Sequence, residues 1–308
     1  LYRRLDHVPP GERLAQAIAG THQNYLSTPE HERVHSVMEA TSELVRVTGS
    51  IAAMAGPVFD FDLLERLPSL EPLLPLSPAL QVVSQLVEGA KAWVRGRYLH
   101  SYETYEKILA RVAEPDRAWL DDAQHDRIRF GLEYTLGLYD AQLGVPTAER
   151  RAQLVETKRE MRVNAWRIRA ILFLSQGNPE ESRRCFRRAQ LLQVQEGVRE
   201  RYVGSTVGIE LLGYVRLGDL LGVKSLLEPI AALAAQHPGW VPIDNLARAV
   251  YAEFQHDLAG ALALTTRTLA MAEPLELTYF APIAARHLHL LRKLERGDEA
   301  VAKAREYL

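Results

Sequence analysis

Residues 163–196, VNAWRIRAILFLSQGNPEESRRCFRRAQLLQVQE, hold two segments with apolar residues at helical spacing, and the polar stretch SQGNPE joins them. Gly177 and Asn178 are residues that tight turns favour, so the sequence predicts a helix, a turn and a second helix. The same pattern returns along the chain, with turns marked by Gly96, Gly144, Gly177, Gly218, Asp257 and Gly297. Neighbouring markers lie about 33 to 48 residues apart, which is the period of helical repeat arrays.

The whole chain is predicted to be all-α, because runs of β-branched residues with a period of two do not recur in it. Residues 80–308 are predicted to form an array of about six helix pairs. Residues 1–79 are predicted to form a separate N-terminal helical region, with helices at 11–26 and 29–55 and a connector at 56–78. The connector is rich in leucine and proline, and its prolines exclude a long helix.

Residues 163–196 resemble a tetratricopeptide repeat, which is a unit of two helices. The resemblance is carried by an early aromatic residue, two small residues where the helices cross, a turn and a second aromatic residue: Trp166, Ala170, Ala189, Gly177, Asn178 and Phe186. Less regular units occur at 82–115, 204–237 and 242–274 and at the C-terminal end, and Ser101 replaces the alanine that the family usually has. The resemblance implies an α-solenoid, a right-handed superhelix of degenerate repeats, similar to the solenoid regions of bacterial multidomain signalling kinases and NTPase regulators.

The resemblance also implies where a partner would bind, since the first helices of such repeats line a concave surface. The residues that match those first-helix positions are Tyr134, Arg167, Arg216, Glu253, His289 and Arg292. Their mixed charge indicates a protein or peptide partner, with a small polar ligand as the alternative. No catalytic residue, cofactor or metal site is predicted, so the expected function is a non-catalytic interaction or ligand-sensing module.

A zinc-dependent hydrolase is a second interpretation of the sequence. His31, Glu32 and His35 have the H-E-x-x-H spacing that places two metal-binding histidines and a general base on one helix. Arg33 and Ser36 give this motif polar surroundings, and no third ligand is singled out elsewhere. The start of an ordinary helix is therefore the preferred interpretation, because acidic residues stabilise the first turn of a helix.

A nucleic-acid-binding solenoid is a third interpretation, because the arginines between Arg150 and Arg188 would together form a basic face. Glutamates such as Glu149, Glu156 and Glu181 have the spacing to pair with them along the helices, so a solvated face is preferred. The formal net charge of −2 over 308 residues provides no overall basic field. Nucleic acid is therefore less favoured as a partner than a protein.

The location of the protein is predicted from its cysteine content and its hydropathy. Cys185 is the single cysteine, which fits a reducing compartment, so a cytoplasmic location is expected. No apolar run approaches the roughly 18 residues of a membrane span, so no membrane association is expected. Because the chain begins LYRRLDHVPP and ends within the amphipathic run AVAKAREYL, we expect it to be part of a larger signalling or regulatory protein.

Overall fold

The computed structural model of the chain describes residues 69–76, 78–114, 122–196, 203–271 and 279–307. Within these ranges the structure consists of helices joined by turns and contains no strand, which confirms the all-α prediction. The helices predicted at 11–26 and 29–55 and most of the connector lie outside the described residues. The His31 motif also lies outside them, so these features stay predictions.

Twelve α-helices occur in the described residues, and odd- and even-numbered helices are the first and second members of successive pairs. In chain order they are α1 (Pro78–Val94), α2 (Tyr98–Val112), α3 (Asp122–Gln142), α4 (Thr147–Glu156), α5 (Arg162–Ser175), α6 (Pro179–Glu196), α7 (Val203–Leu217), α8 (Leu220–Gln236), α9 (Val241–Phe254), α10 (Leu258–Ala270), α11 (Phe280–Lys293) and α12 (Gly297–Tyr307). Short 3-10 helices occupy Glu71–Leu76, Arg159–Met161 and Pro238–Trp240. None of the described helices has the length and apolar character that crossing a bilayer requires.

The chain divides into two compact units. Of the described residues, 69–92 and 98–132 belong to the first unit, and 93–97 and 133–307 belong to the second. In the first unit Ser101 is buried on α2, and its Oγ donates a hydrogen bond of 2.8 Å to the backbone oxygen of Gly89. An alanine cannot make this bond, which is a physical reason for serine where the tetratricopeptide pattern has alanine.

The turn that joins each pair of helices contains one residue in the left-handed backbone conformation. These residues are Gly96, Gly144, Gly177, Gly218, His256 and Glu295. Glycine adopts this conformation without steric cost, whereas His256 (φ 65°) and Glu295 (φ 60°) adopt it with some strain. The predicted markers Asp257 and Gly297 lie one and two residues after the left-handed positions of the last two turns.

The five turns from Gly144 onwards each contain the same type of backbone hydrogen bond, which ends the first helix. The N–H group that follows the left-handed residue donates to the carbonyl five residues earlier, over 2.9 to 3.1 Å: Val145 to Asp140, Asn178 to Phe173, Asp219 to Tyr214, Asp257 to Ala252 and Arg296 to Leu291. This is the Schellman arrangement of helix C-termini. The same type of backbone hydrogen bond therefore ends the first helix of each of these pairs.

In three of these turns the next residue also begins the second helix. The side chains of Asn178, Asp219 and Asp257 accept hydrogen bonds of 3.2, 2.9 and 2.8 Å from the backbone N–H groups three residues later. Such side-chain acceptors satisfy N–H groups that have no partner inside the helix. The short polar pairs that mark the turns in the sequence thus have a defined structural purpose.

Packing in the second unit involves helices that are neighbours in sequence and first helices of successive pairs. Contacts join α4 to α5, α5 to α6 and each consecutive pair from α7 to α12, and α7 also contacts α5 and α9. At Gly213 on α7, an added Cβ would overlap the side chain of Leu174 on α5. The helices approach closely around a core of small and aliphatic residues that includes Ala148, Ala152 and Ile168.

Candidate functional site

The six residues predicted to bind a partner all lie on first helices of the described pairs. Tyr134 is on α3, Arg167 on α5, Arg216 on α7, Glu253 on α9, and His289 and Arg292 are on α11. Tyr134, Arg167 and Glu253 are buried, whereas Arg216, His289 and Arg292 are exposed. The structure brings two of the six into direct contact, because His289 Nε2 lies 3.0 Å from Glu253 Oε1.

This contact is part of a larger group, the Glu253 cluster, which consists of Glu253, Arg286, His289 and Lys293. Arg286 Nη1 lies 2.7 Å from Glu253 Oε2, and Lys293 Nζ lies 2.8 Å from Oε1. The three basic residues follow one another at intervals of three and four positions on α11, so they share one helix face. That face of α11 turns three basic side chains towards a single carboxylate on α9.

The members of the Glu253 cluster differ in how far they reach into solvent. The side chain of Glu253 is only 7% exposed and that of Arg286 is 19% exposed, whereas those of His289 and Lys293 are 49% and 47% exposed. Glu253 thus forms the floor of the cluster, and His289 and Lys293 form its accessible rim. A ligand in solvent would meet the rim first.

Burial by itself raises the pKa of the Glu253 carboxyl, but the hydrogen bond from Lys293 and the charge of Arg286 more than offset it. The pKa therefore lies below its ordinary value, and Glu253 is ionised at neutral pH. Its carboxylate accepts from His289, which places a proton on Nε2 and leaves Nδ1 as the second polar atom of that ring. The buried acid holds both rim side chains in place.

A pocket of about 350 Å³ opens beside the Glu253 cluster, at the turn between α9 and α10. It is lined by Glu253 and Lys293 together with Phe254, His256 and Leu258. Phe254 and Leu258 are partly buried and give the pocket an apolar wall, while Lys293 provides a cation at its edge. His256 adopts the left-handed conformation in the turn that separates Phe254 from Leu258.

The Glu253 cluster has the opposite charge balance to two other ion-pair groups of the second unit. Arg151 pairs with both Glu133 (2.6 Å) and Asp140 (2.9 Å), so one cation meets two carboxylates. Arg169 likewise pairs with Glu149 (3.1 Å) and Glu156 (2.7 Å). Three basic side chains surround one carboxylate at Glu253, so the excess of positive charge there is a distinguishing feature.

A second polar group lies between α5 and α7 and involves Arg167, one of the predicted partner-binding residues. Tyr214 donates a hydrogen bond of 3.0 Å to Glu210 Oε1 on the same helix. Burial raises the pKa of Glu210 to about 7, although the hydrogen bond from Tyr214 and the charge of Arg167 act to lower it. The charge of Arg167 therefore acts on the carboxyl of Glu210, and Arg167 is itself buried, so it is a residue of the helix packing as well as a candidate for binding.

The arginines of α6, which suggested a nucleic-acid surface, are partly neutralised. Arg183 Nη1 lies 2.9 Å from Asp219 Oδ2, and Arg184 forms an ion pair with Glu181. These pairs support the interpretation of this face as solvated and charge-balanced. Cys185 on the same helix is buried, and burial raises the pKa of its thiol, so it is not a reactive thiolate.

Sequence reasoning missed Arg286 and Lys293, which are half of the Glu253 cluster. The signal was present in RHLHLLRK at 286–293, where basic residues recur at helical spacing. The neighbouring His287 faces elsewhere, because it is buried and its Nδ1 lies 3.1 Å from Thr265 Oγ1. Among the residues that the structure describes, no group of three or more His, Cys, Asp or Glu side chains could hold a metal ion.

Comparisons of the chain with protein-family models, with curated proteins and with solved structures gave no significant match. The resemblance to tetratricopeptide repeats therefore rests on the sequence pattern quoted above.

Proposed function

We propose that the chain is a non-catalytic interaction module, an α-solenoid of degenerate tetratricopeptide-like helix pairs that binds a protein or peptide segment through its first helices. In this proposal it acts in the cytoplasm as the receiving part of a larger signalling or regulatory protein. The single buried cysteine is consistent with such a compartment. The proposal concerns recognition, and any catalytic output belongs to another part of that larger protein.

The observation that carries the proposal is the contact between first helices of successive pairs. Helix α7 contacts both α5 and α9, as well as its own partner α8. Gly213 permits the close approach to α5, because a side chain there would overlap Leu174. Neighbouring first helices form a continuous row in repeat arrays, and such rows bind extended partners without catalysis.

The repeated helix link gives a second, independent line of support. Five helix pairs, from the turn at Gly144 onwards, have one residue in the left-handed conformation and the same type of hydrogen bond to the carbonyl five residues earlier. Recurrence of one link at similar intervals is what an array of equivalent two-helix units requires.

The proposal is tested by selecting peptides from a random display library on the immobilised chain and then mapping where a selected peptide binds. Hydrogen exchange measured with and without the peptide is expected to show protection on the first helices α5, α7, α9 and α11. Protection confined to the second helices α6, α8 and α10 would place the binding surface elsewhere. Failure to enrich any peptide above the empty support would count against an interaction module.

A further inference from the structure

We propose that the pocket beside the Glu253 cluster recognises an acidic side chain that lies next to a bulky apolar side chain in a partner segment. This inference rests on the proposed interaction function and specifies the class of segment that this part of the surface accepts. Lys293 and His289 receive the carboxylate, and Phe254 and Leu258 contact the apolar group. Glu253 is a positioning residue that holds the two receiving side chains.

The charge of the site favours an anionic occupant. Arg286 and Lys293 carry two positive charges against the one negative charge of Glu253, before any protonation of His289 is considered. Asp257, the next acid along the turn, lies outside this cluster and caps α10, where its Oδ1 accepts a hydrogen bond of 2.8 Å from the N–H of Gly260. A carboxylate that contacts the Glu253 cluster therefore meets an excess of positive charge among its members.

Free hydrogen-bonding capacity remains on the rim of the site. An ammonium group has three N–H donors, and the described contacts of Lys293 engage one carboxylate oxygen, Glu253 Oε1. Nearly half of the side chains of Lys293 and His289 is exposed, so a ligand can approach both. The hydrogen bond to Glu253 holds Lys293 at the edge of the pocket, which lowers the entropy cost of binding.

The apolar wall favours a segment with both an acidic and an apolar side chain over a simple anion. Phe254 and Leu258 are partly exposed in the same pocket as Lys293, and the pocket of about 350 Å³ has room for more than one small side chain. Burial of an apolar side chain against this wall adds affinity that a free inorganic anion cannot gain. The charged side chains of the site thus favour an acidic residue in the segment, and the apolar wall favours an apolar residue next to it.

The test uses the full chain and a display library of random linear peptides, with counter-selection on the variant Lys293→Glu. Enriched peptides are expected to contain Asp or Glu beside Leu, Ile, Met or Phe. Enrichment of peptides with no acidic preference would overturn this inference and leave the interaction function standing. Failure to enrich any peptide would overturn both.

Direct binding of the best selected peptide, labelled with fluorescein and measured by anisotropy, gives the quantitative test. Lys293→Gln is expected to raise the Kd of this peptide by about 3- to 10-fold. Replacement of the acidic residue of the peptide by Gln is expected to raise the Kd for the original chain by a similar factor. The matched control is Arg248→Gln, which removes an exposed arginine of α9 that pairs with Asp244 at 2.8 Å, and Kd is expected to stay unchanged.

A charge exchange separates specific contact from a general effect on the protein. The peptide with Lys in place of its acid is expected to bind Lys293→Glu more tightly than it binds the original chain. If the Gln peptide binds as well as the acidic one, or if Arg248→Gln weakens binding as much as Lys293→Gln, the assignment of the carboxylate to this pocket is wrong. Circular dichroism of each variant checks that the fold is intact.

Discussion

At the scale of single residues, we expect substitution of Gly177 and of Gly131 by alanine to have opposite effects on stability. Gly177 has a φ of 80° in the link between α5 and α6, whereas Gly131 lies inside α3, where an added Cβ would meet no atom of another element within 4 Å. A side chain is strained at the first position and favours the helix at the second. The two glycines therefore serve different purposes despite being the same residue type.

We expect Gly177→Ala to lower the free energy of unfolding by about 1 to 2 kcal/mol, because alanine is strained in the left-handed conformation. Gly131→Ala is expected to raise it by roughly 0.5 to 1 kcal/mol, since alanine restricts the unfolded chain and favours the helix. Urea unfolding followed by circular dichroism measures both. Shifts of the same sign would contradict the left-handed assignment of Gly177.

Glu210 is expected to make stability depend on pH. Burial raises the pKa of this carboxyl to about 7 in the folded protein, from an ordinary value of 4.5, so the folded state binds the proton more tightly than the unfolded chain. The resulting contribution to stability is fully present below about pH 4.5 and is lost as pH rises through about 7. Glu210→Gln, which cannot ionise, is expected to remove this dependence.

Thermal unfolding between about pH 5 and about pH 8 checks this expectation, and the original chain should lose on the order of 1 kcal/mol relative to Glu210→Gln over that range. Glu228→Gln is the matched control, because Glu228 is an exposed glutamate of α8. A parallel pH profile for the original chain and Glu210→Gln would show that Glu210 is ionised in the folded state throughout.

Single residues also show how much the sequence reveals. Gly144, Gly177 and Gly218 were predictable turn positions, because glycine is the residue that the left-handed conformation favours. His256 and Glu295 occupy equivalent positions without that signature, and the structure is needed to find them. The contact between Glu253 and His289 joins residues 36 positions apart, so it depends on packing that no local pattern encodes.

At the scale of elements, α8 and α10 begin in the same way but are held by different numbers of contacts. Asp219 and Asp257 each accept a hydrogen bond from the N–H three residues later. Asp219 also forms an ion pair with Arg183 over 2.9 Å, which links the start of α8 to α6. Asp257 thus contributes a cap alone, whereas Asp219 contributes a cap and an ion pair, so the two can be compared.

We expect Asp257→Ala to lower the free energy of unfolding by about 1 kcal/mol, because the start of α10 loses its cap. Asp219→Ala is expected to cost a few tenths of a kcal/mol more, which is the typical value of a half-exposed ion pair. Asp219→Asn keeps the cap and loses only the charge, so its stability in urea should stay close to that of the original chain. If Asp219→Asn is as costly as Asp219→Ala, the cap is not the main source of stability.

Elements were the level at which sequence reasoning succeeded best. Helical spacing and turn residues predicted the all-α class and the pair at 163–196, which the structure resolves as α5 and α6. The face of α11 that lies against α9 was not predictable to the same degree. Its basic residues recur at helical spacing, but only the position of α9 decides that Arg286, His289 and Lys293 face a carboxylate and not solvent.

At the scale of the whole molecule, stability in a stacked array is the sum of contributions from units and from the contacts between neighbours. Ile168 on α5 is fully buried in a core that includes residues of α3, α4 and α7. Removal of its side chain should thus loosen the helices around α5 more than helices that do not touch it. This expectation follows from the proposed array and would not hold for a single cooperative core.

Ile168→Ala is expected to cost about 2 to 5 kcal/mol locally. Hydrogen exchange followed by mass spectrometry should show faster exchange in α3, α4, α5, α6 and α7, with much smaller changes in α11 and α12. The control is Leu291→Ala, a change of similar size at a fully buried residue of α11, for which the pattern should reverse. Equal acceleration in all helices of the second unit by either variant would contradict an array of separable neighbours.

The arrangement of helices beyond each pair is the part that the sequence did not determine. Consecutive contacts follow from short links, but the close approach of α7 to α5 requires Gly213 and the side chain of Leu174 to match. Such matches depend on shape, and apolar spacing alone does not record them.

The Arg169 group has a practical consequence for spectroscopy. The guanidinium of Arg169 lies 4.9 Å from the centre of the Trp166 ring, and Glu149 and Glu156 of α4 hold it there. A fixed cation beside an indole alters the energy of its excited state, so the emission of Trp166 carries a record of whether α4 is docked on α5. The chain has four tryptophans, so a variant that keeps Trp166 alone would report this helix contact without an attached dye.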